Sequence, residues 1–563
     1  MLSDFTVTAN TIAATTKKSE KERILAAYLT GLDDASLERA AVFFSGSPFP
    51  RRDQRVAGVG GAAIGEAVSV ATGRTAEEVW APWPKYADPG DTIAESFPDD
   101  PARDITLVEL GEYFDRIAAT QGANAKKDVL AELFRKVSAQ GARYVVKILT
   151  RELRIGLVEG LVESSIAKAF GRKLEAVRQA NMFTGDIGAT ALLAKSDALT
   201  SAKMALFQPF AFMLAQPEED PAKIVDELGA DAFADDKYDG IRAQIHTDGR
   251  DVRIYSRTLD DVTHRFPEVE AAARAVGRGA ILDGEIVAFS DRILPFAIIQ
   301  KRLGRRQVTA KLLSEAPVVF FAFDLLYLDG EVLFEVPLRE RLGKLAVILS
   351  REDGEGPPAD ARDTLDSGGP SPSPRLRMTD AGEARDAAHL DELFDAARAR
   401  ANEGLVVKDP DSIYTPGRRG KSWLKYKKAL ATLDCVVTYA QWGNGKRRHV
   451  LSDLTFAVLK NGDLVNIGKA YSGLTDVEIA EMTEHFKRTT LDLHGPVHRV
   501  EPTIVLEIAF DRIQESKRHK SGYALRFPRI VRIRDDKTPG QISTLDEVRR
   551  IYEGQLRREA QED

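Results

Sequence analysis

The sequence predicts a multidomain α+β protein, and three textures along the chain carry that reading: a helical first part, a mixed middle and a strand-rich end. At 563 residues the chain has room for about three to four domains of ~150 residues each. Hydrophobic residues make up 43% and charged residues 29%, the balance of a globular protein. In residues 1–203, Ile24, Leu25, Tyr28 and Leu29 recur at helical spacing, as do Val145, Ile148 and Leu149. That part is expected to be all-α, with Pro/Gly-rich breaks at 45–52 and 81–103. From 204 to 430, short β-branched and aromatic runs mix with helices, which predicts an α/β domain. From 431 to 563, runs such as Cys435-Val436-Val437, Leu464-Val465-Asn466-Ile467 and Ile504-Val505-Leu506-Glu507-Ile508 predict a small β-barrel. Residues 352–375, rich in Gly, Pro, Asp and Ser, read as a surface insertion with no assigned function.

Several classes are disfavoured. No apolar run approaches the ~18 residues of a membrane helix; the longest, from Val318 to Leu328, is interrupted by Asp324 and reads as a buried strand. Met1-Leu2-Ser3-Asp4 lacks the basic and then apolar start of a signal peptide, so a cytoplasmic location is expected. The single cysteine, Cys435, excludes a disulfide framework or a multi-cysteine zinc site and reads as a buried structural thiol. A net charge of −7 does not advertise a nucleic-acid binder, although a local basic surface is compatible with it.

The most informative stretch is Asp235-Asp236-Lys237-Tyr238-Asp239-Gly240-Ile241-Arg242. A lysine that loses its proton is a nucleophile, and an arginine holds phosphate. Asp-Gly is also a common hairpin turn, so the string alone leaves both readings open. Ile281-Leu282-Asp283-Gly284-Glu285 and Asn402-Glu403-Gly404-Leu405-Val406-Val407-Lys408 each place an acid at a strand start. Mg²⁺ in phosphoryl transfer takes such carboxylates; an ordinary strand with charged ends has the same look. In Ser422-Trp423-Leu424-Lys425-Tyr426-Lys427-Lys428, a strand would project Lys425 and Lys427 from one face, where a polyphosphate or solvent would separate their charges. Arg419 precedes them in a glycine-rich loop. Phe323, in a core-like strand, is available to stack on a base or simply to pack. The stretch from Arg526 to Lys537 alternates arginines with apolar residues and ends in Arg534-Asp535-Asp536-Lys537, a basic strand suited to polyphosphate.

In order, these elements read K-x-D-G-x-R, S-R (Ser256-Arg257), D-G-E, F-D, E-G-L-V-V-K, W-L-K-x-K and R-x-D-K. The series resembles the complete motif set of ATP-dependent DNA ligases. Arg151-Glu152-Leu153-Arg154-Ile155-Gly156-Leu157, with Ile166-Ala167-Lys168-Ala169-Phe170, resembles the helical DNA-binding domain that precedes the core in archaeal, eukaryotic and some bacterial ligases. The resemblance implies an all-α DNA-binding domain (1–203), an α/β nucleotidyltransferase adenylation domain of ATP-grasp-like character (204–430) and an OB-fold barrel (431–563). It implies that Lys237 takes AMP from ATP, with Asp235, Arg242, Arg257, Glu285, Phe323, Arg419 and Lys425 on the nucleotide. Asp235 stands where many relatives carry Glu. Lys408, Lys427, Arg534 and Lys537 are implied as further phosphate contacts, and Glu285 and Glu403 as Mg²⁺ ligands. Arg151, Arg154, Gly156 and Lys168 are implied on DNA, the glycine in a helical setting where backbone approaches phosphate. The implied partner is nicked duplex DNA, encircled by a monomer, with a sliding clamp as an optional companion and no membrane. Rival readings are an RNA ligase or capping-type transferase, which shares K-x-D-G without the helical domain, and a nick-binding protein without catalysis.

Overall fold

The computed structural model describes the chain except residues 87, 99, 101, 304, 306, 307, 350–374, 380, 401, 429, 430, 444–446, 448 and 561–563, and excepting the side chains of 84 and 557–560. All but the last residue of the expected 352–375 insertion therefore lies outside the described residues. Two compact units are present: Met1–Ala205 with Thr438–Leu454 and Thr475–Glu501, and Leu206–Val437 with Thr455–Leu474 and Pro502–Asp563.

The first unit is mainly helical. Leu25, Leu29, Val145 and Ile148 are fully buried, as their spacing predicts, and they join Phe5, Phe43, Phe114 and Phe134 in one core. Helix Leu107–Ala119 starts with a Thr106–Glu109 capping box, and Ser138 caps Ala139–Leu149, which satisfies amide groups that a helix start leaves free. The expected break at 81–103 holds short helices instead, Trp83–Tyr86 and Pro89–Ala94. Asp88 caps the second, and Pro89, whose φ suits a first helical turn, begins it rather than breaking it. Beside this helical part, the unit holds helix Asp476–Arg488 and the hairpin Thr490–His494 with Val497–Val500.

The second unit holds two sheets that build the site. One runs in the order Leu214–Glu218, Arg419–Tyr426, Leu405–Lys408, Phe233–Asp236, Ala381–Glu383. The other runs Val252–Ser256, Ile241–Asp248, Gly279–Ala288, Val318–Leu328, Glu331–Val332, with Leu376–Met378 parallel to Val318–Leu328. Because strand side chains alternate, each sheet divides its residues between two faces. In the first sheet, Ala234, Leu405, Val407, Leu424 and Tyr426 pack with Ile224, Leu390 and Phe394 of the helices Pro221–Leu228 and Ala387–Ala399. In the second, Ala243, Ile245, Leu282, Ile286, Phe320 and Ala322 pack with Val269 and Leu342 of the helices Pro267–Ala275 and Leu338–Leu349. The alternate residues, among them Asp235, Lys408, Lys425, Arg242, Glu285 and Phe323, are left for the other faces.

The C-terminal strands of this unit pair Ala431–Val436 with Val505–Phe510, and that strand with Arg529–Ile533. Arg512–Glu515 and Tyr523–Arg526 form a hairpin. The basic stretch expected as one strand from Arg526 is thus broken: Phe527 takes a left-handed φ of 52° before Pro528. Phe527 and Val531 are half exposed, and Cys435 is fully buried, as expected of a structural thiol.

Candidate active site

Backbone pairing sets the centre of the site. The ladder between Phe233–Asp236 and Leu405–Lys408 continues past the strand ends, where Lys237 N–H donates to Gly404 O at 2.7 Å and Glu403 N–H to Lys237 O at 2.8 Å. Lys237 and Glu403 therefore lie together, and Lys237 Nζ is 2.6 Å from Glu403 Oε2. Two glycines make this possible. A Cβ at Gly404, whose φ is 142°, would stand 2.4 Å from Tyr426 O, and one at Gly240 would stand 2.4 Å from Ile286 O and 2.8 Å from Glu285 Cγ. Real Cβ atoms do not approach so closely, so K-x-D-G and E-G owe their glycines to close strand approach.

Lys427 also pairs with Glu403, and its Nζ is 3.4 Å from Asp511. Burial pushes the Glu403 carboxyl up, but Lys237 and Lys427 outweigh it and hold the group down at about 2. Lys425 lies among cations: burial lowers its pKa first, and Lys237, Lys427, Arg419 and Arg257 lower it further. Cations crowded together in this way repel one another, and an anionic ligand relieves that repulsion. Lys425, Arg257 and Arg419, all predicted from sequence, thus share one neighbourhood with the nucleophile candidate.

The second sheet supplies a different set. Arg242 donates to both oxygens of the fully buried Asp283, at 3.1 and 2.7 Å, and Tyr414 O–H donates to Asp283 Oδ2 at 2.8 Å. Its guanidinium lies 4.8 Å from the Phe212 ring centre and 5.3 Å from that of Phe323. Phe323 also has Lys408 Nζ at 4.5 Å from its ring centre. Burial pushes the Glu285 carboxyl up to about 8; Lys237 and Arg242 oppose that push, and Glu403 and Asp283 reinforce it.

This shift makes stability depend on pH with a definite sign. The folded chain keeps the Glu285 proton up to about pH 8, whereas the unfolded chain releases it near 4.5. The folded state binds more protons between these values, so stability falls as pH rises through that window and levels off above it. Glu285→Gln in metal-free buffer removes the fall. Its stability in urea unfolding should gain on the parent by about 3 kcal/mol between pH 5.5 and 8.5. An offset equal at both pH values would contradict this.

Lys408 does not meet the expectation of a free phosphate contact. Its ammonium is buried, pairs with Asp235 and donates to Phe323 O at 3.3 Å. The residue is satisfied beneath the site, because Asp235 stands on the neighbouring strand at the matching face. Arg534 and Lys537 are also placed elsewhere. Arg534 Nη1 lies 2.8 Å from Asp434 and Nη2 lies 2.7 Å from Asp536, while Lys537 Nζ lies 2.5 Å from Asp434. Barrel residues that do reach the centre are Asp511, Arg512 and Arg526, which line a small open cleft with Asp239, Arg398 and Glu403. Burial raises the Asp239 carboxyl, Glu403 adds to the rise, and Arg526 and Arg512 oppose it. Sequence reasoning gave Asp239, Arg398, Asp511 and Arg512 no role, and took Arg526 only as the start of a basic strand. The R-F-P-R string and the carboxylate inside K-Y-D-G were visible, but only the fold shows that they share a cleft.

Among the described residues no group of three or more His, Cys, Asp or Glu side chains forms a metal cage. Mg²⁺ is compatible with this, since it commonly takes one or two carboxylates and completes its shell with phosphate and water. Glu285 and Glu403 are close enough to influence each other's charge and fit that need.

The four residues expected on DNA lie in the first unit. Arg151, Arg154 and Gly156 sit in the loop between Ala139–Leu149 and Glu159–Ala169, not in a helix, with φ of 57°, 52° and 70°. The left-handed φ of Gly156 is itself a reason for glycine at this position. Arg154 pairs with Glu152 and lies 3.6 Å from Asp88. Arg151 is exposed, and Lys168 lies in the last turn of Glu159–Ala169, also exposed. No helix among the described residues is long and apolar enough to cross a membrane.

Three families match along the chain: DNA ligase N terminus at residues 1–167, ATP dependent DNA ligase domain at 212–427 and ATP dependent DNA ligase C terminal region at 447–537. A probable DNA ligase of Koribacter versatilis is 45% identical over 560 residues, covering 98% of this chain and 96% of the relative. A DNA ligase of Thermococcus onnurineus is 33% identical over 563 residues, covering 96% of each. The solved structure Pmar-Lig_PreS3 superposes with a TM-score of 0.58 at 16% identity, covering 94% of this chain and 99% of that one, a likeness of fold.

Proposed function

We propose, from the premise that this chain belongs to the family of ATP-dependent DNA ligases, that Lys237 is the residue on which AMP travels from ATP to the nick. The enzyme seals nicks in duplex DNA with ATP through an adenylylated intermediate. The observation that supports Lys237 as its carrier is its ammonium on the Glu403 carboxylate, which Lys427 shares, with Lys425 near enough to feel its charge together with those of Arg419 and Arg257.

In the first step the Lys237 ammonium gives a proton to water, and the neutral Nζ attacks the α-phosphorus of ATP. A P–N bond forms, the P–O bond to pyrophosphate breaks with its electron pair, and the amine proton leaves. In the second, an oxygen of the 5′-phosphate at the nick attacks the same phosphorus, the P–N bond breaks and the amine regains a proton. In the third, the 3′-hydroxyl attacks the DNA phosphorus and AMP departs. Negative charge gathers on phosphate oxygens throughout, so catalysis rests on positioning and on fixed positive charge. Lys425, Arg257 and Arg419 hold the phosphates, while Arg242 and Phe323 contact the nucleoside. Glu403 binds the lysine as an ammonium and so aims it, and ATP competes for Lys427 when it arrives. Mg²⁺, held by Glu285 and Glu403, would offset charge on the transferring phosphoryl group.

The division into a DNA-binding domain at 1–203, an adenylation domain at 204–430 and an OB-fold at 431–563 belongs to this proposal. So do phosphate contacts from Arg151 and Lys168, a monomeric state and a cytoplasmic location. Arg534 and Lys537 join the nucleotide in it only after leaving Asp434, which requires the barrel to turn.

The test is direct. With α-labelled ATP and Mg²⁺ the protein should take up label, which nicked duplex DNA should then remove as the nick closes; NAD⁺ in place of ATP should leave the nick open. Sealing without any labelled protein, or transfer to RNA ends alone, would sink the reading.

A further inference from the structure

Asp235 is held from two sides, and the second holder is a residue that no motif contains. Asp235 is 4% exposed, two residues before Lys237 on the strand, with its Oδ2 paired to Lys408. Its Oδ1 accepts a hydrogen bond from Thr379 Oγ1 at 3.2 Å. Thr379 is itself fixed: it is 5% exposed, and its N–H donates to Ala322 O at 3.0 Å, next to Phe323. One sheet thus supplies Asp235 and Lys408, and the end of the strand Leu376–Met378, paired to the other sheet, supplies Thr379.

We propose that Thr379 is a positioning residue that, through Asp235, sets the site's preference for a 6-aminopurine. This rests on the reading that Asp235 faces the base of ATP. A carboxylate paired to an ammonium has only acceptor capacity. The Thr379 hydroxyl, having given its proton to Asp235, also has only acceptor capacity left. A base edge meeting these oxygens must bring a donor, as the 6-amino group of adenine does. The 6-oxo group of hypoxanthine or guanine brings a second acceptor and leaves these polar atoms unpaired, and sites built around a hydrogen bond reject such analogues strongly. The short aspartate side chain has few rotamers, and the clamp removes the remaining freedom, so orientation is set by Thr379 rather than by reach.

Thr379→Val keeps shape and removes the donor. Lysine adenylylation is followed with ATP and with purine riboside triphosphate, which lacks the 6-amino group. The expected result is a KM for ATP raised about tenfold, an unchanged kcat, and an unchanged KM for the purine analogue; Thr379→Ser should restore the parent values. An equal rise for both nucleotides, no rise for ATP, or a serine variant as impaired as valine would overturn the proposal. If valine prevents a single cooperative melt, Thr379→Ala, which adds no bulk, supplies the same comparison. A parent enzyme that uses both nucleotides equally well overturns the proposal whatever the variants do. A parent that takes no label from ATP would instead refute the assignment of Lys237, so the two failures are distinct.

Discussion

Lys237→Ala should take up no label from α-labelled ATP, a loss of at least roughly 10⁴-fold, because the bond that stores AMP has no other amine at its position. The backbone bonds that hold residue 237 opposite Glu403 and Gly404 survive the change, so the fold should remain and melting should differ little. Removing the lysine leaves Glu403 with Lys427 as partner, which keeps the carboxylate compensated. The variant should still join a nick whose 5′-phosphate already carries AMP, since the third step does not use the lysine as nucleophile. Protein labelling that persists in the alanine variant would place the carrier elsewhere. Failure on pre-adenylylated DNA as well as on ATP would show that the lysine also acts in the last step.

Arg341→Ala should cost about 3–5 kcal/mol of stability in urea unfolding, the usual result of stripping one partner from a buried ion pair. Arg341 and Asp324 are both fully buried. Nε and Nη2 donate to the two carboxylate oxygens at 2.7 and 2.8 Å, while Nη1 donates to Ser412 O at 3.0 Å and to Val336 O. Burial raises the Asp324 carboxyl, and Arg341 is the main opposing influence. Without the arginine the folded state favours the protonated acid, so the loss should shrink as pH falls toward the unfolded value. Arg341→Met combined with Asp324→Leu should lose much less than the single change. A loss under about 1 kcal/mol at neutral pH would mean that another group or water satisfies Asp324.

Much of the site was legible because its chemistry is local in sequence. Lys237 and Glu403 sit just past strand ends with a glycine close by, and the Lys425–Lys427 pair at the end of Arg419–Tyr426, whereas Glu285, expected at a strand start, lies inside Gly279–Ala288. Alternation alone predicted that Lys425 and Lys427 share a face of one strand; the strand ends at Tyr426, one residue before Lys427. Thr379 and Asp511 were not legible: each is an ordinary polar residue whose meaning comes from a partner more than a hundred residues away for Thr379, or 84 away in the case of Lys427 and Asp511. Lys408 was misread for the opposite reason. Its motif position was right, but a lysine at a strand end looks the same whether it faces solvent or a buried aspartate on the next strand. The fold at 81–103 was missed because Pro and Gly mark a helix start as readily as a break, and Asp88 decides between them.

The two-faced strands have a consequence for insertions and deletions. Between Phe233 and Lys237 the chain alternates core and reactive positions, with Ala234 on the helix side and Asp235 on the other. Losing or gaining one residue there inverts every side chain that follows until the next turn. A gained residue would put Asp236, now held by Arg400 and Asn402 at the rim, in the place of the reactive lysine, and a lost one would put Lys237 opposite Leu405, where Asp236 now stands. Substitutions in this strand can be graded by chemistry, but a change of length has no mild version, so lineages that keep the activity must keep the count.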